Sequence, residues 1–188
     1  TVKAAKGSVD ITSGKGDILI GSNGSEVETV SAQQNVTIGT DLGTISIQGI
    51  TSTETGDITM TAGKDKYMAD EGSGEDRVQN GNFIITQDGQ IKSGGGVNLN
   101  GRNGDIYITD RIQAEKGINA TIAEEGSVFF ETDVSVKNDV DISTDKGSIV
   151  VGNTVTSEGG SVNLKTGEGE ILVGKDITAE KDVSITNK

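Results

Sequence analysis

Between Asn138 and Asn187 the apolar positions return in a fixed order. Val140-Asp141-Ile142, Ile149-Val150-Val151 and Val155-Thr156-Ser157 are followed by Val162-Asn163-Leu164, Ile171-Leu172-Val173 and Ile177-Thr178-Ala179. Equivalent positions stand 22 residues apart, as in 140 to 162, 149 to 171 and 155 to 177. Within most triplets two inward residues flank one outward residue, the period-2 signature of a strand with one buried face. A unit this short cannot bury that face alone, so successive coils must stack and pair in parallel as a β-solenoid.

Carried through the chain, the pattern predicts three strand columns. The first holds Val9/Ile11, Val36/Ile38, Ile58/Met60, Val97/Leu99, Ile118/Ala120, Val140/Ile142, Val162/Leu164 and Val183/Ile185. The second holds Ile18/Ile20, Ile45/Ile47, Phe83/Ile85, Ile106/Ile108, Val128/Phe130, Ile149/Val151 and Ile171/Val173. The third has smaller residues: Val2/Ala4, Val30/Ala32, Ile50/Ser52, Ile91/Ser93, Ile112/Ala114, Val134/Val136, Val155/Ser157 and Ile177/Ala179. About eight coils at roughly 4.8 Å each predict a rod on the order of 40 Å long. Parallel crossovers are overwhelmingly right-handed, which makes a right-handed parallel β-helix the expected fold class, all-β, with three short strands per coil.

Two steps exceed the period. The step from 18 to 45 is 27, placing a small excursion near Gly21 to Val27, and the step from 58 to 97 is 39, placing an insertion at 62–80. The insertion shows neither alternation nor a helical stripe and reads as a surface loop on an otherwise single domain spanning 1–188. Loops of this kind carry contacts in repeat proteins, so Lys64, Lys66, Tyr67, Met68, Glu75 and Arg77 are candidate contact residues. The chain starts at Thr1 in mid-pattern and stops three residues beyond a first-column pair without a polar cap. Uncapped coils expose open strand edges, and the expectation is a fragment of a longer rod, or a meeting of copies end to end.

Composition narrows the function classes. The 28 Gly and absence of Pro suit many short strands separated by tight turns. His is absent, which removes the commonest general base and metal ligand, and Cys is absent, which removes disulfides and thiolate sites. A formal charge of −13 lacks the basic footprint that nucleic acid or anionic membrane requires. No apolar run approaches the roughly 20 residues of a membrane-spanning helix.

The phrases Gly56-Asp-Ile-Thr-Met60, Gly104-Asp-Ile-Tyr-Ile108, Gly160-Ser-Val-Asn-Leu164 and Asp176-Ile-Thr-Ala-Glu-Lys-Asp-Val183 resemble the repeats of filamentous haemagglutinin-type bacterial surface exoproteins. Such proteins are exported by two-partner secretion or as autotransporter passengers, and the likeness extends over nearly the whole chain apart from the insertion. It implies a right-handed parallel β-helix on a Gram-negative surface, acting as stalk and adhesive face. It carries over no functional residue. The 22-residue coil is slightly longer than the commonest repeat of that family, and the N-terminal secretion domain of the family is not in this sequence.

Candidate chemistry lies on the outward positions. In the second column these are Leu19, Ser46, Ile84, Tyr107, Phe129, Val150 and Leu172, six of seven apolar where a half-exposed sheet should be polar. Leu19, Ile84, Tyr107, Phe129, Val150 and Leu172 therefore form a candidate interface stripe, set against plain β-propensity or cover by a loop. The first column turns out Asp10, Thr37, Thr59, Asn98, Asn119, Asp141, Asn163 and Ser184, a polar face suited to an amide ladder, a carbohydrate-contacting strip or simple solvation. Paired acids could do glycoside chemistry, but Asp10 and Asp141 are many coils apart. Asp70, Glu71, Glu75 and Asp76 offer at most weak cation binding, and Asp17, Asp105 and Glu170 read as turn caps. Asn23, Asn35 and Asn119 head glycosylation sequons whose three-residue match is common by chance.

The sequence thus points to a non-enzymatic adhesive or structural rod, secreted or held on a bacterial surface, with no cofactor. Expected partners are a protein or glycan on a host or neighbouring cell, or further copies or domains of the same fibre, with neither nucleic acid nor direct membrane insertion. The alternatives are a polysaccharide-processing β-helix enzyme and a subunit of a self-assembling surface layer or filament.

Overall fold

The computed structural model describes residues 1–21, 28–63 and 90–188, together with the backbone of Ile84–Thr86. Among the described residues all helical or strand structure is strand, and every strand pairs in parallel with the strand three places along the chain. The first column is an eight-stranded sheet of Val9–Ser13, Val36–Thr40, Ile58–Ala62, Val97–Asn103, Ile118–Glu125, Val140–Lys146, Val162–Glu168 and Val183–Asn187. The third column makes another eight-stranded sheet, from Val2–Ala4 to Ile177–Ala179. The second makes a seven-stranded one, from Ile18–Ile20 to Ile171–Val173. The chain therefore completes seven coils and begins an eighth, as a β-solenoid.

No coil satisfies its own backbone. Val140, Ile149 and Val155, one from each strand of a coil, donate their N–H groups to the carbonyls of Ser161, Glu170 and Asp176 in the next, at 2.9, 2.8 and 3.0 Å. Inside the ring that this ladder closes, apolar side chains stack on their own kind: Val36, Ile58, Val97, Ile118, Val140 and Val162 run through the first sheet, all at 2% exposure or less. Burying each such side chain contributes about 1.5–3 kcal/mol, so the column is the main source of stability.

The first-sheet strands also carry a third inward position that the pairs above do not include. It is filled by Thr40, Ala62, Gly101, Ile122, Thr144 and Thr166, all buried. A hydroxyl there needs a partner, and the adjoining corner supplies a carbonyl: Thr40, Thr144 and Thr166 donate to Gly16, Gly126 and Gly147 at 2.9, 2.6 and 2.7 Å. Those corners are tight. Gly126, Gly147 and Gly169 have φ near +147°, and a Cβ on Gly147 would lie 2.0 Å from the Gly126 carbonyl oxygen.

Turn side chains bracket neighbouring coils. Asp17, Asp105 and Asp139 accept the N–H of Thr44, Ser127 and Ser161 in the following coil at 2.8, 2.7 and 2.8 Å. Asp133 accepts both the hydroxyl and the N–H of Thr154, which holds its carboxyl below the usual range. The expected capping role thus holds for Asp17 and Asp105. At Glu170 it is the backbone that bonds, its N–H donating to Ser148 Oγ at 3.1 Å.

Three expectations are corrected. In the third sheet the inward pair is Thr51/Thr53, not Ile50/Ser52: Thr51 pairs with Val30 and Ile91, and Ile50 faces Glu28 across a bulge at Thr29. Thr29 fills that bulge and donates its hydroxyl to the Gln48 and Ile50 carbonyls at 3.2 and 3.1 Å. In the second sheet the ladder pairs Ile84 with Ile45 and Ile106, so Phe83/Ile85 is one residue out of register. A run such as Phe83-Ile84-Ile85 reads equally well in either register, and the flanking strands decide. Finally, Ala62 is a buried strand residue, so the insertion opens beyond it. Its contact candidates Lys64, Lys66, Tyr67, Met68, Glu75 and Arg77, and the acids Asp70, Glu71 and Asp76, lie outside the described residues, as does the excursion at 22–27.

Two stability measurements check this account. Gly147→Ala forces an L-residue into φ +148° against a backbone oxygen and should destabilise by about 1–3 kcal/mol in denaturant titration, whereas Gly7→Ala, with open space around it, should stay within about 0.5 kcal/mol. Thr51 Oγ1 is buried without a hydrogen-bond partner among the described residues, and Thr51→Val should raise stability by about 1 kcal/mol.

Candidate functional site

The outward position of the second sheet is fixed by its two inward neighbours. Each strand has three residues, and when the outer two enter the core the middle one must face out. The ladder then aligns these residues from coil to coil: Leu19 with Ser46, Ser46 with position 85, Tyr107 with Phe129, Phe129 with Val150, and Val150 with Leu172. Five of the six stripe candidates thus stand in one row. Ile84 does not share their register, and Ile85 pairs with Ser46 and Tyr107 in its place.

Neighbours in the row lie about 4.8 Å apart, close enough for side chains to cover one another. Tyr107 and Phe129 do so as an edge-to-face pair, with ring centroids 5.9 Å apart and planes at 62°. Tyr107, Phe129 and Val150 are consequently half-buried, while Leu19 and Leu172 remain 76% and 51% exposed. The Tyr107 hydroxyl donates to Glu131 Oε1 two residues beyond Phe129, which ties the phenol down against the face. The same hydrogen bond raises the phenol above its ordinary value, with the Glu131 charge acting in the same direction. The result is a flat aromatic and aliphatic strip with one polar anchor.

The first sheet presents the expected polar row: Asp10, Thr37, Thr59, Asn98, Asn119, Asp141, Asn163 and Ser184 align pair by pair. It is not a continuous amide ladder. Asn163 Nδ2 donates to Asp141 Oδ1 at 2.7 Å, but Asn119 is engaged within its own coil by the Thr121 hydroxyl at 2.8 Å. Among the described residues no group of three carboxylates is placed to hold a metal ion.

One feature of this face shares only Thr37 with the expected polar row. Thr12, Thr37, Gly39, Asp41 and Thr61 line a groove of about 530 Å³ near the first coils. The available signal was a single glycine in a row otherwise occupied by side chains, and it became visible only with the register in hand.

No family model matches this chain, and no match was found to a curated protein or to a solved structure.

The geometry around Tyr107 can be titrated. A phenol raised in the folded state contributes stability that is complete below the unfolded value of about pH 10 and is lost as pH rises through the folded value. Ultraviolet titration should show one of the two tyrosines ionising above pH 10, and Glu131→Gln should bring that midpoint down.

Proposed function

We propose that this chain is a segment of a non-catalytic bacterial surface rod, of the filamentous haemagglutinin type, that holds a protein-binding face away from the cell. The observation that carries the reading is the in-register outward row Tyr107, Phe129, Val150 and Leu172. A sheet with one wet face should place polar residues there, and contiguous apolar surface of this kind marks contact with another protein. Parallel stacking keeps the row straight, so each added coil offers one more contact at the same spacing, and a partner strand, sheet or helix can lie along it. The charge of −13 keeps rods apart in solution and leaves the apolar row as the place where attraction exceeds repulsion. Export, surface location and partnership with a host protein or another fibre chain belong to this reading and rest on the repeat resemblance.

The double variant Phe129→Glu/Leu172→Lys tests it. Both residues face outward, so the melting temperature should fall by no more than a few degrees. Attachment to cell monolayers or lateral association in sedimentation should weaken at least tenfold. Unchanged attachment and unchanged association in the folded variant would refute the proposal.

A further inference from the structure

We propose that the groove at Gly39 binds one unit of a neutral polyhydroxylated ligand, a sugar residue of an uncharged glycan. This deepens the adhesive reading and rests on it, but at a different face of the rod.

Gly39 stands in an outward row of the first sheet whose other members, Thr12, Thr61, Asn100, Thr121, Ser143, Lys165 and Thr186, all carry side chains. Its backbone does not require glycine: it has no positive φ, and a Cβ there would meet only the Thr61 carbonyl oxygen, at 3.8 Å. A glycine within a strand weakens it and marks a bulge, a tight bend or a close approach by a ligand or another backbone. At Gly39 the ladder runs through without a register shift and no described backbone lies closer than 3.8 Å to a Cβ there, which leaves the approach of a ligand. Here its effect is a notch in the sheet face, the floor of a groove of about 530 Å³, within the range of small-molecule sites.

The lining selects the ligand. Thr12 and Thr37 bring two exposed hydroxyls and their methyl groups, and Asp41 brings a half-exposed carboxylate. None of the three makes a side-chain hydrogen bond among the described residues, so their donors and acceptors are available to a guest. A carboxylate beside hydroxyls accepts from adjacent sugar hydroxyls in charge-assisted hydrogen bonds, while threonine methyls pack against sugar C–H groups. Among the described residues no cation lines the groove, so there a phosphate, sulfate or acidic sugar would meet Asp41 without compensation. The described lining has one carboxylate, too few for calcium, and no aromatic ring on which a nucleobase could stack. Neutral sugar is the chemistry that remains.

The test is an amide-shift titration of the whole chain with lactose, cellotetraose and chitotetraose, and with sialyllactose as the charged comparator. Expected are saturable shifts at Thr12, Thr37, Gly39, Asp41 and Thr61 with at least one neutral sugar, and at least tenfold weaker binding of sialyllactose. Gly39→Val should fill the notch and weaken binding at least tenfold with no fall in melting temperature. Asp41→Asn should weaken it at least threefold and serves as the test if the valine variant folds poorly. No shift at these amides with any neutral sugar, or binding that survives both substitutions, overturns the groove. Phe129→Glu/Leu172→Lys should leave sugar binding unchanged, so a groove that fails and a stripe that fails give different results.

Discussion

A ring of three short strands has no backbone partner within itself, and every consequence of this fold follows from that lack. Donors such as Val140, Ile149 and Val155 are satisfied only by the coil that follows. The ladder therefore dictates register at every position, and register in turn dictates which side chains enter the core. Apolar burial supplies most of the free energy, but it is the pairing that makes the burial repeat. Aliphatic residues fall on aliphatic residues because the coils beneath them have no other way to bond.

Corners are where this regularity is hardest to maintain. A chain turning sharply three times per coil brings carbonyls of one coil against the backbone of the next, and at Gly126, Gly147 and Gly169 only a residue without Cβ fits. The same corners leave carbonyls pointing inward, and buried threonines satisfy them from the ends of the first-sheet strands. Short acidic and hydroxyl side chains clamp the outside of the turns, so much of the acidic composition near the corners is structural. Two hydroxyl groups show the limits of the scheme: Thr29 finds two carbonyls in its bulge, whereas Thr51 finds no partner among the described residues.

The period of 22 made the architecture legible in the sequence, and from Val97 onward the first-column pairs coincide with the ladder throughout. Reading failed where apolarity was taken as the guide to direction. Ile50 is the greasier residue, yet Thr51 lies inward because the bulge at Thr29 shifts the pairing by one. Phe83-Ile84-Ile85 is apolar at every position, so alternation carried no information there, and the strands on either side set the register. The outward row of the second sheet was legible from the same rule that located the core, since Tyr107 and Phe129 sit between residues that could only point in. The groove at Gly39 was not, because it is defined by a missing side chain, and a missing side chain has meaning only against known neighbours.

The ladder also resumes undisturbed after an interruption. The strand Ile58–Ala62 closes its part of the third coil, and the chain returns at Ile84 in register with both Ile45 and Ile106. Length added at a corner is thus invisible to the sheets, whereas a single residue added inside a strand would exchange its two faces. Such a rod behaves like a rail with fixed gauge and removable fittings: its corners can accept new segments of any length, natural or grafted, while the track on either side stays aligned.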